Sequence, residues 1–188
     1  MTMSAERRYG GQSQEARIAE RREKLMRAAL ALYGRVGPAD ASVAMICAEA
    51  GLTARYFYES FANRDALFLA VFEAVCARLL EGVRERANGD GGAALGALFT
   101  ALAEHPGLAR MFVVDLHHDS DEIRAVAKHF GVALAALIAP GVDDPLLRAG
   151  VMGATMRIAR AWIEADYAAP IETVAAAAAR FTLAARSA

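Results

Sequence analysis

The sequence predicts an all-α protein in which an N-terminal three-helix unit is joined by one long helix to a larger helical region. Two observations predict this fold class. Apolar residues recur at spacings of three and four through most of the 188 residues, as they do on one face of a helix. Glycine, proline and asparagine mark the ends of these patterns, and no stretch alternates apolar and polar residues as a half-buried strand does.

The first predicted helix runs from Arg17 to Val36 and ends at Gly37-Pro38. Its inward positions are apolar and share one face: Ile18, Leu25, Ala28, Ala29 and Leu32. We expect this helix to pack across the next two as the third member of a small bundle. Residues 1–16 are polar and charged, and they are predicted to form a flexible N-terminal arm.

Two short helices follow, separated by a tight turn. Ser42 is a helix-capping residue before a segment whose apolar face carries Val43, Ile46 and Cys47. Gly51 ends that helix, because glycine readily adopts the left-handed backbone that a tight turn needs. Thr53 is predicted to cap a second helix over 54–61, with Phe57 and Phe61 facing inward. This arrangement is a helix-turn-helix, in which the second helix enters the DNA major groove.

The outward residues of the second short helix suit contact with DNA. Arg55 can pair with guanine through two hydrogen bonds, while hydroxyl and phenol groups can bond bases or phosphates. Arg64 lies where the next helix begins, in a position suited to a phosphate. The simpler alternative is a helical hairpin with surface aromatic residues. The candidate DNA-contacting residues are Ser42, Thr53, Ala54, Arg55, Tyr56, Tyr58 and Arg64.

This block resembles the N-terminal domain of TetR-type transcriptional regulators. Their signature is a hydroxyl residue, isoleucine with a small residue, Ala-Gly, a hydrophobe, Ser or Thr, and Tyr-x-x-Phe-x-x-Lys-x-x-Leu. Cys47 replaces the usual alanine, and Arg64 replaces the usual lysine but keeps its positive charge. The matching positions are Ser42, Ile46-Cys47, Ala50-Gly51, Leu52, Thr53, Tyr58, Phe61, Arg64 and Leu67.

A long fourth helix is predicted to connect the two parts of the chain. Asn63 is its cap, and Asp65 in its first turn suits the helix dipole. Its apolar stripe continues to about Val83, further than the N-terminal unit could cover. The clearest break in the chain follows at 88–92, which reads Asn-Gly-Asp-Gly-Gly. The later helices are predicted at 92–104, 106–117, 119–138, 144–167 and 171–186.

The domain boundaries follow from these patterns. Residues 17–64 are predicted to form the DNA-binding domain, and residues 65–188 a ligand-binding and dimerisation domain. The resemblance implies a homodimer held by a four-helix bundle of the last two helices, where glycine and alanine allow close approach. The alternative is that their apolar stripes close the core of a single chain. The candidate interface residues are Val151, Ile158, Ile171, Val174, Ala178 and Phe181.

The resemblance also implies a small-molecule effector bound between helices of the second region. The shortage of charged residues among the candidates favours an apolar or aromatic effector, although methionine and aromatic residues line ordinary cores as well. His117-His118 beside several aspartates suggests a metal, but adjacent helical residues point in different directions, which favours an exposed helix end. The candidates are Met111, Phe112, Leu116, His117, Met152, Met156 and Trp162.

Composition narrows the function further. No apolar run reaches the roughly 18 residues of a membrane span, and the charged start is unlike a secretory signal. We therefore expect a cytoplasmic protein without membrane contact, whose Cys47 and Cys76 are reduced core residues. The net charge of −1 divides unevenly: residues 1–64 hold ten basic and seven acidic side chains. The basic cluster either contacts phosphates from a flexible arm or forms a solvated helix face, and it consists of Arg7, Arg8, Arg17, Arg21, Arg22 and Lys24.

These observations predict a sequence-specific DNA-binding regulator that acts as a homodimer on a palindromic, double-stranded operator. A ligand-responsive repressor is the favoured form, and an activator is the alternative that depends on operator position. A helical scaffold whose helix-turn-helix is not used on DNA is the second class. No acid–base pair, activated nucleophile or phosphate-cradling loop is identifiable, so we expect no enzyme activity and no cofactor. The effector and the operator sequence are not encoded in any readable motif.

Overall fold

The computed structural model describes residues 14–109, 111 and 120–187, and these residues form helices and connecting turns without any strand. The predicted all-α fold class is confirmed. The helices are α1 (Gln14–Val36), α2 (Val43–Ala50), α3 (Ala54–Ser60), α4 (Arg64–Ala87), α5 (Gly91–Glu104), α6 (Pro106–Ala109), α7 (Asp121–Ile138), α8 (Pro145–Glu164) and α9 (Ile171–Arg186).

The first helix is the centre of the N-terminal unit and packs against α2, α3 and α4. Its buried face carries Leu25, Ala28, Ala29, Leu32 and Tyr33, four of which the helical spacing predicts. Ile18 is exposed, which corrects its predicted inward position, because α1 extends at that end beyond the helices it packs against. The helix begins at Gln14, so residues 14–16 of the predicted arm are helical. Residues 1–13 of that arm lie outside the described residues.

The long helix α4 connects the two parts of the molecule, as predicted. The Asn63 side chain accepts a hydrogen bond from the Ala66 backbone N–H at 2.8 Å and so caps its N-terminus. Buried residues recur on α4 from Leu67 to Ala87, against α1 at one end and against α5 and α7 further along. A movement of α4 would therefore displace its neighbours both in the N-terminal unit and in the second helical region.

The predicted break after α4 is confirmed but is shorter than expected. Asn88 and Gly89 both have positive φ, and Asp90 then caps α5 by accepting a hydrogen bond from the Gly92 N–H at 2.8 Å. Gly91 and Gly92 belong to α5. A Cβ at Gly91 would lie 2.6 Å from the Ile138 carbonyl oxygen, so glycine permits the close approach of α5 to the end of α7.

The second part of the molecule is built around α5, which packs against α4, α7 and α9. Helices α8 and α9 pack against each other, and α9 also packs against α5 and α8 against α7. α8 buries Val151, Thr155, Ala159 and Trp162, and α9 buries Val174, Ala178 and Thr182. The predicted helix over 106–117 is described only for 106–109 and 111, and α8 ends at Glu164 because residues 165–167 form a turn.

Candidate nucleic-acid interface

The turn between α2 and α3 is fixed by two local interactions. The Ser42 hydroxyl accepts a hydrogen bond from the Met45 N–H at 3.2 Å, which caps α2. Gly51 has a φ of 64° in the left-handed region, where the chain leaves α2 and the Leu52 N–H donates to the Cys47 carbonyl at 2.9 Å. A side chain would have open space at Gly51, so the backbone conformation alone requires glycine.

The short helix α3 is anchored by its inward aromatic residues. Phe57 is fully buried and Phe61 nearly so, and their ring centroids lie 6.1 Å apart. Thr53 precedes the first residue of α3 with an extended backbone, but its hydroxyl makes no capping hydrogen bond. This corrects the predicted role of Thr53 as a side-chain cap. A seven-residue helix has little stability alone, so α3 depends on these packing contacts.

Helix α1 holds α3 from outside as well. Arg22 donates a hydrogen bond to the Ser60 carbonyl oxygen at 2.9 Å, and its guanidinium lies 4.1 Å from the centre of the Phe61 ring. A cation at this end of α3 also suits the helix dipole. Arg21 lies against Tyr56, and Lys24 pairs with Glu20 at 2.8 Å. The sequence offered two roles for these basic residues, phosphate contact or a solvated face. The structure adds a third, because Arg21 and Arg22 contact α3 of their own chain.

The outer face of α3 presents three large polar side chains. The Arg55 side chain is 84% exposed, and the hydrogen bond from its Nε to Glu59 at 2.9 Å raises the pKa of the guanidinium. Tyr58 is 61% exposed, and Tyr56 is partly covered by the guanidinium of Arg21, 4.6 Å from its ring centre. Ala54 is exposed at the first position of α3. The helix thus offers cationic and hydroxyl donors on one exposed end.

Arg64 has a role that the sequence did not indicate. Its Nη1 donates to the Ala39 carbonyl oxygen at 2.9 Å, which ties the start of α4 to the α1–α2 connection. Arg64 as a whole is exposed, and a guanidinium has more N–H donors than the one used in this bond. Arg64 therefore lies at the predicted place, the N-terminus of α4, but fixes the domain as well.

Residues 25–71 match the model of a family described as bacterial regulatory proteins of the tetR family. The N-terminal unit is a TetR-type domain. No curated protein matches the sequence with significance. Among solved structures, a tetR-family transcriptional regulator from Streptomyces coelicolor superposes with a TM-score of 0.75 at 21% identity, covering 89% of this chain and 80% of that one.

Two further structures have the same fold. A fatty acid degradation regulator, FadR, from Bacillus halodurans gives a TM-score of 0.71 at 20% identity, with 87% of this chain and 94% of that chain covered. A FadR regulator from Bacillus subtilis, in complex with stearoyl-CoA, gives 0.69 at 16% identity, with 85% and 96% covered. The likeness thus extends beyond the TetR-type domain to the whole helical architecture. Residues 25–71 thus form a DNA-binding domain of the tetR regulatory type, and the rest of the described chain shares the helical fold of these structures.

Four of the predicted effector residues, Met111, Met152, Met156 and Trp162, lie within the described part of the chain. Met111 is fully buried, and Trp162 is buried with its Nε1–H donating to the Ala169 carbonyl at 2.8 Å. The Trp162 ring also packs edge-on against Phe99 and Tyr167, so it is a satisfied core residue. Met152 and Met156 are half-buried on α8. Phe112, Leu116 and His117, like His118, lie outside the described residues.

A cavity that the sequence analysis missed lies between α4 and α5, with α1 at one end. This α4–α5 slot has a volume of about 190 Å³. Gly82, Ala97 and Ala101 leave it open, and Arg78 and Arg86 bring positive charge to it. Glu104 and His105 lie at the end nearest Leu30 of α1. The four-residue spacing of Arg78, Gly82 and Arg86 was the available signal, but charged residues on a helix are usually solvated.

The predicted interface residues divide into two groups. Val151, Val174 and Ala178 are buried within the single chain, which corrects their predicted surface role. They lie on the buried faces of α8 and α9, which the chain uses for its own core. Ile158 and Ile171 are half-buried, whereas Phe181 is 50% exposed.

Other features of the described residues bear on ligand and membrane binding. Cys47 and Cys76 are free and buried, and burial raises the pKa of both thiols, that of Cys76 to about 12. Within the described ranges, no three potential metal-ligating side chains cluster together. None of the helices described is both long and apolar enough to cross a membrane.

Proposed function

We propose that the protein is a sequence-specific transcriptional repressor that binds a palindromic operator as a homodimer and releases it when a small molecule binds. The observation that carries the proposal is the exposed end of α3, where Arg55, Tyr56 and Tyr58 project from a helix held by buried Phe57 and by Arg22. A rigid helix that presents such donors suits the major groove. Binding to chromosomal DNA would place the protein in the cytoplasm, because bacterial DNA lies there.

Gel-shift titration with DNA flanking the protein's own gene, repeated over a salt series, tests the DNA part. We expect selective binding that weakens steeply as salt rises, because phosphate contacts release counterions. Arg55→Ala should cost about 1–3 kcal/mol and relax the preference at one base position. Tyr58→Phe should weaken binding to all sequences similarly. Arg160→Ala on α8 is the matched control, because Arg160 makes the same kind of ion pair away from α3.

Weak, unselective binding by the wild-type protein to any fragment would favour the scaffold alternative. Footprinting of the bound fragment, which locates the protected bases, also separates a repressor from an activator. Protection that overlaps the promoter supports a repressor, whereas protection upstream of it supports an activator.

The proposed homodimer uses the outer faces of α8 and α9. Gly150 and Gly153 are exposed on α8, with open space where a side chain would lie, so another helix can approach closely. Phe181 and Leu183 are exposed apolar residues on α9, at 50% and 60%. Apolar exposure of this kind is typical of an interface. Two TetR-type domains related by a two-fold axis would read two half-sites.

Sedimentation of matched variants tests this surface. Gly153→Glu and Phe181→Glu should each shift the protein from dimer to monomer, because each places a charge between apposed helices. Val132→Glu on α7 is the control, since Val132 is equally apolar and 63% exposed but lies outside α8 and α9. Dissociation by Val132→Glu alone would move the proposed interface to α7.

We place the effector in the α4–α5 slot, which revises the expected apolar ligand to one that also carries a negative charge. Leu79 and Val83 supply an apolar wall, while Arg78 and Arg86 supply positive charge. One wall residue, Leu30, belongs to α1 of the TetR-type domain. A ligand in the slot would contact both parts, and it releases DNA only if it favours the state with the wrong spacing of α3 helices. The similar FadR regulator from Bacillus subtilis is in complex with stearoyl-CoA, which supports a ligand that has both an apolar and a charged part.

Release of a labelled operator by hexanoate and by hexanamide tests the charge requirement. Hexanoate should act at lower concentration, and Arg86→Met should abolish that difference without changing DNA affinity in the absence of ligand. Arg84→Met is the control, because Arg84 is on the same helix but does not line the slot. Equal action of the acid and the amide would contradict the proposed charge preference.

A further inference from the structure

Glu59 is an unexpected residue on the surface proposed to face DNA. It lies one helical turn after Arg55 on α3, and its side chain is 38% exposed. A carboxylate near phosphates is repelled, so a glutamate here requires a compensating interaction. The structure gives it two such interactions, one from its own helix and one from α1.

Each carboxylate oxygen of Glu59 faces a different arginine. The Arg55 Nε donates to Oε1 at 2.9 Å, and the Arg21 Nη2 lies 3.7 Å from Oε2. Arg21 is itself confined, because its side chain is only 22% exposed and its guanidinium packs over the Tyr56 ring at 4.6 Å. The helix α1 thereby fixes Glu59, and Glu59 in turn fixes Arg55.

The use of Nε determines which part of Arg55 remains available. A guanidinium that donates Nε–H to a carboxylate keeps the N–H groups of its two terminal nitrogens. Those nitrogens can donate in parallel to O6 and N7 of guanine, the commonest specific contact in the major groove. An unrestrained arginine would instead sample many rotamers and bond phosphates at any sequence.

We infer that Glu59 is a specificity-determining residue: with Arg21 behind it, it holds Arg55 with the terminal guanidinium nitrogens directed to the guanine edge. This inference rests on the proposed DNA-binding function. It makes Glu59 and Arg21 positioning residues, which act through Arg55. The negative charge of Glu59 weakens the attraction of this face to phosphates at any sequence, so binding depends more on the base that Arg55 contacts.

The test compares operator DNA with each single-base variant, using fluorescence anisotropy and the full chain. Arg55→Ala first identifies the base pair that Arg55 reads, as the position where discrimination is lost. Glu59→Ala should then lower discrimination at that same base pair by about 5- to 20-fold. Binding to non-operator DNA should stay equal or increase, because a repulsive charge is removed. Glu59→Gln keeps an acceptor oxygen and should restore part of the discrimination.

A double variant separates positioning from a general effect. In the Arg55→Ala background, Glu59→Ala should produce no further loss of discrimination, because its partner is gone. Arg21→Met should act in the same direction as Glu59→Ala but more weakly. Glu164→Ala is the matched control, since Arg160 donates Nε to Glu164 at 2.8 Å with the same four-residue spacing on α8. Unchanged circular dichroism and thermal midpoints establish that each variant is folded.

Three results would overturn the inference. Equal weakening on operator and non-operator DNA would make Glu59 a purely structural residue. Loss of discrimination at a cytosine elsewhere in the site would mean that Glu59 reads a base itself. Unchanged discrimination in Glu59→Ala would show that Arg55 needs no support. If the wild-type protein selects no sequence, the proposed function fails instead, so the two failures are distinguishable.

Discussion

The helix pair α2–α3 and the helix pair α8–α9 are docked by different kinds of side chain. In α2–α3 the contacts are large and individual: Phe57 and Phe61 fill the core, and Gly51 sets the turn. In α8–α9 many of the side chains are small, and residues 175–179 are all alanine. A large side chain fits one place in a packed core, whereas alanine fits either a core or a surface. The first pair is therefore rigidly specified, and the second is able to serve two surfaces.

Matched aromatic truncations should show the largest difference between the two pairs. Phe57→Ala should lower the free energy of unfolding by about 3–5 kcal/mol, because a fully buried ring leaves a cavity. Phe181→Ala should cost less than about 1 kcal/mol in dilute monomeric protein, because the ring is half exposed. Urea unfolding followed by circular dichroism measures both values.

Protein concentration sharpens this comparison. The cost of Phe181→Ala should grow with concentration if α9 lies in a dimer interface, whereas the cost of Phe57→Ala should grow little. Similar costs for the two variants at every concentration would contradict the difference between the helix pairs.

Alanine at two glycines should change stability in opposite directions. Gly51→Ala should cost about 1–2 kcal/mol, because φ of 64° is strained for any residue with a Cβ. Gly153→Ala should stabilise the monomer by up to about 1 kcal/mol, because glycine within a helix is unfavourable and a Cβ there has open space. Thermal unfolding measures the sign. A stabilising Gly51→Ala would mean that the turn has another conformation.

The hydroxyl residues before α2 and α3 should also differ. Ser42→Ala should cost about 1 kcal/mol, because it removes the acceptor for the Met45 N–H. Thr53→Ala should change the free energy of unfolding by only about a few tenths of a kcal/mol, since Thr53 makes no side-chain capping bond. Denaturant midpoints test the pair, and equal losses would show that Thr53 caps α3 in solution. A loss of DNA affinity in Thr53→Ala, without a stability change, would assign the hydroxyl to DNA.

The sequence predicted the N-terminal unit in detail because its signals are local. Capping by Ser42, the turn at Gly51 and the buried ring of Phe57 each follow from residue type and spacing. The contacts of Arg21, Arg22 and Arg64 could not be predicted in this way. They join residues 25 to 38 positions apart. The sequence around a basic residue on a helix surface is the same whether the side chain is solvated or contacts another helix.

The α8–α9 surface was predicted less well for a physical reason. Periodicity identifies an apolar stripe on a helix, and Val151, Val174 and Ala178 lie on such stripes. It does not say whether the chain's own core or a second chain covers them. The α4–α5 slot was missed similarly, because a cavity depends on the absence of side chains at Gly82, Ala97 and Ala101, which lie on two helices.

The smallest predicted effect concerns Tyr33 and is present only in alkali. Burial raises the pKa of the Tyr33 phenol to about 12, whereas an unfolded chain has a value near 10. Below about pH 10 the Tyr33 phenol is protonated in both states, so its contribution to the free energy of unfolding does not depend on pH. Between pH 10 and 12 the unfolded chain ionises first, so stability falls as pH rises, by about 1 kcal/mol at pH 10.5.

The difference between wild-type protein and Tyr33→Phe isolates this contribution, because buried Cys76 also has a pKa of about 12 and titrates in both proteins. Urea unfolding at pH 8 and pH 10.5 should show a smaller loss of stability in Tyr33→Phe than in wild type. Equal losses in wild type and Tyr33→Phe would mean that Tyr33 ionises in the folded state, and hence that α1 and α4 separate enough to admit water at its hydroxyl.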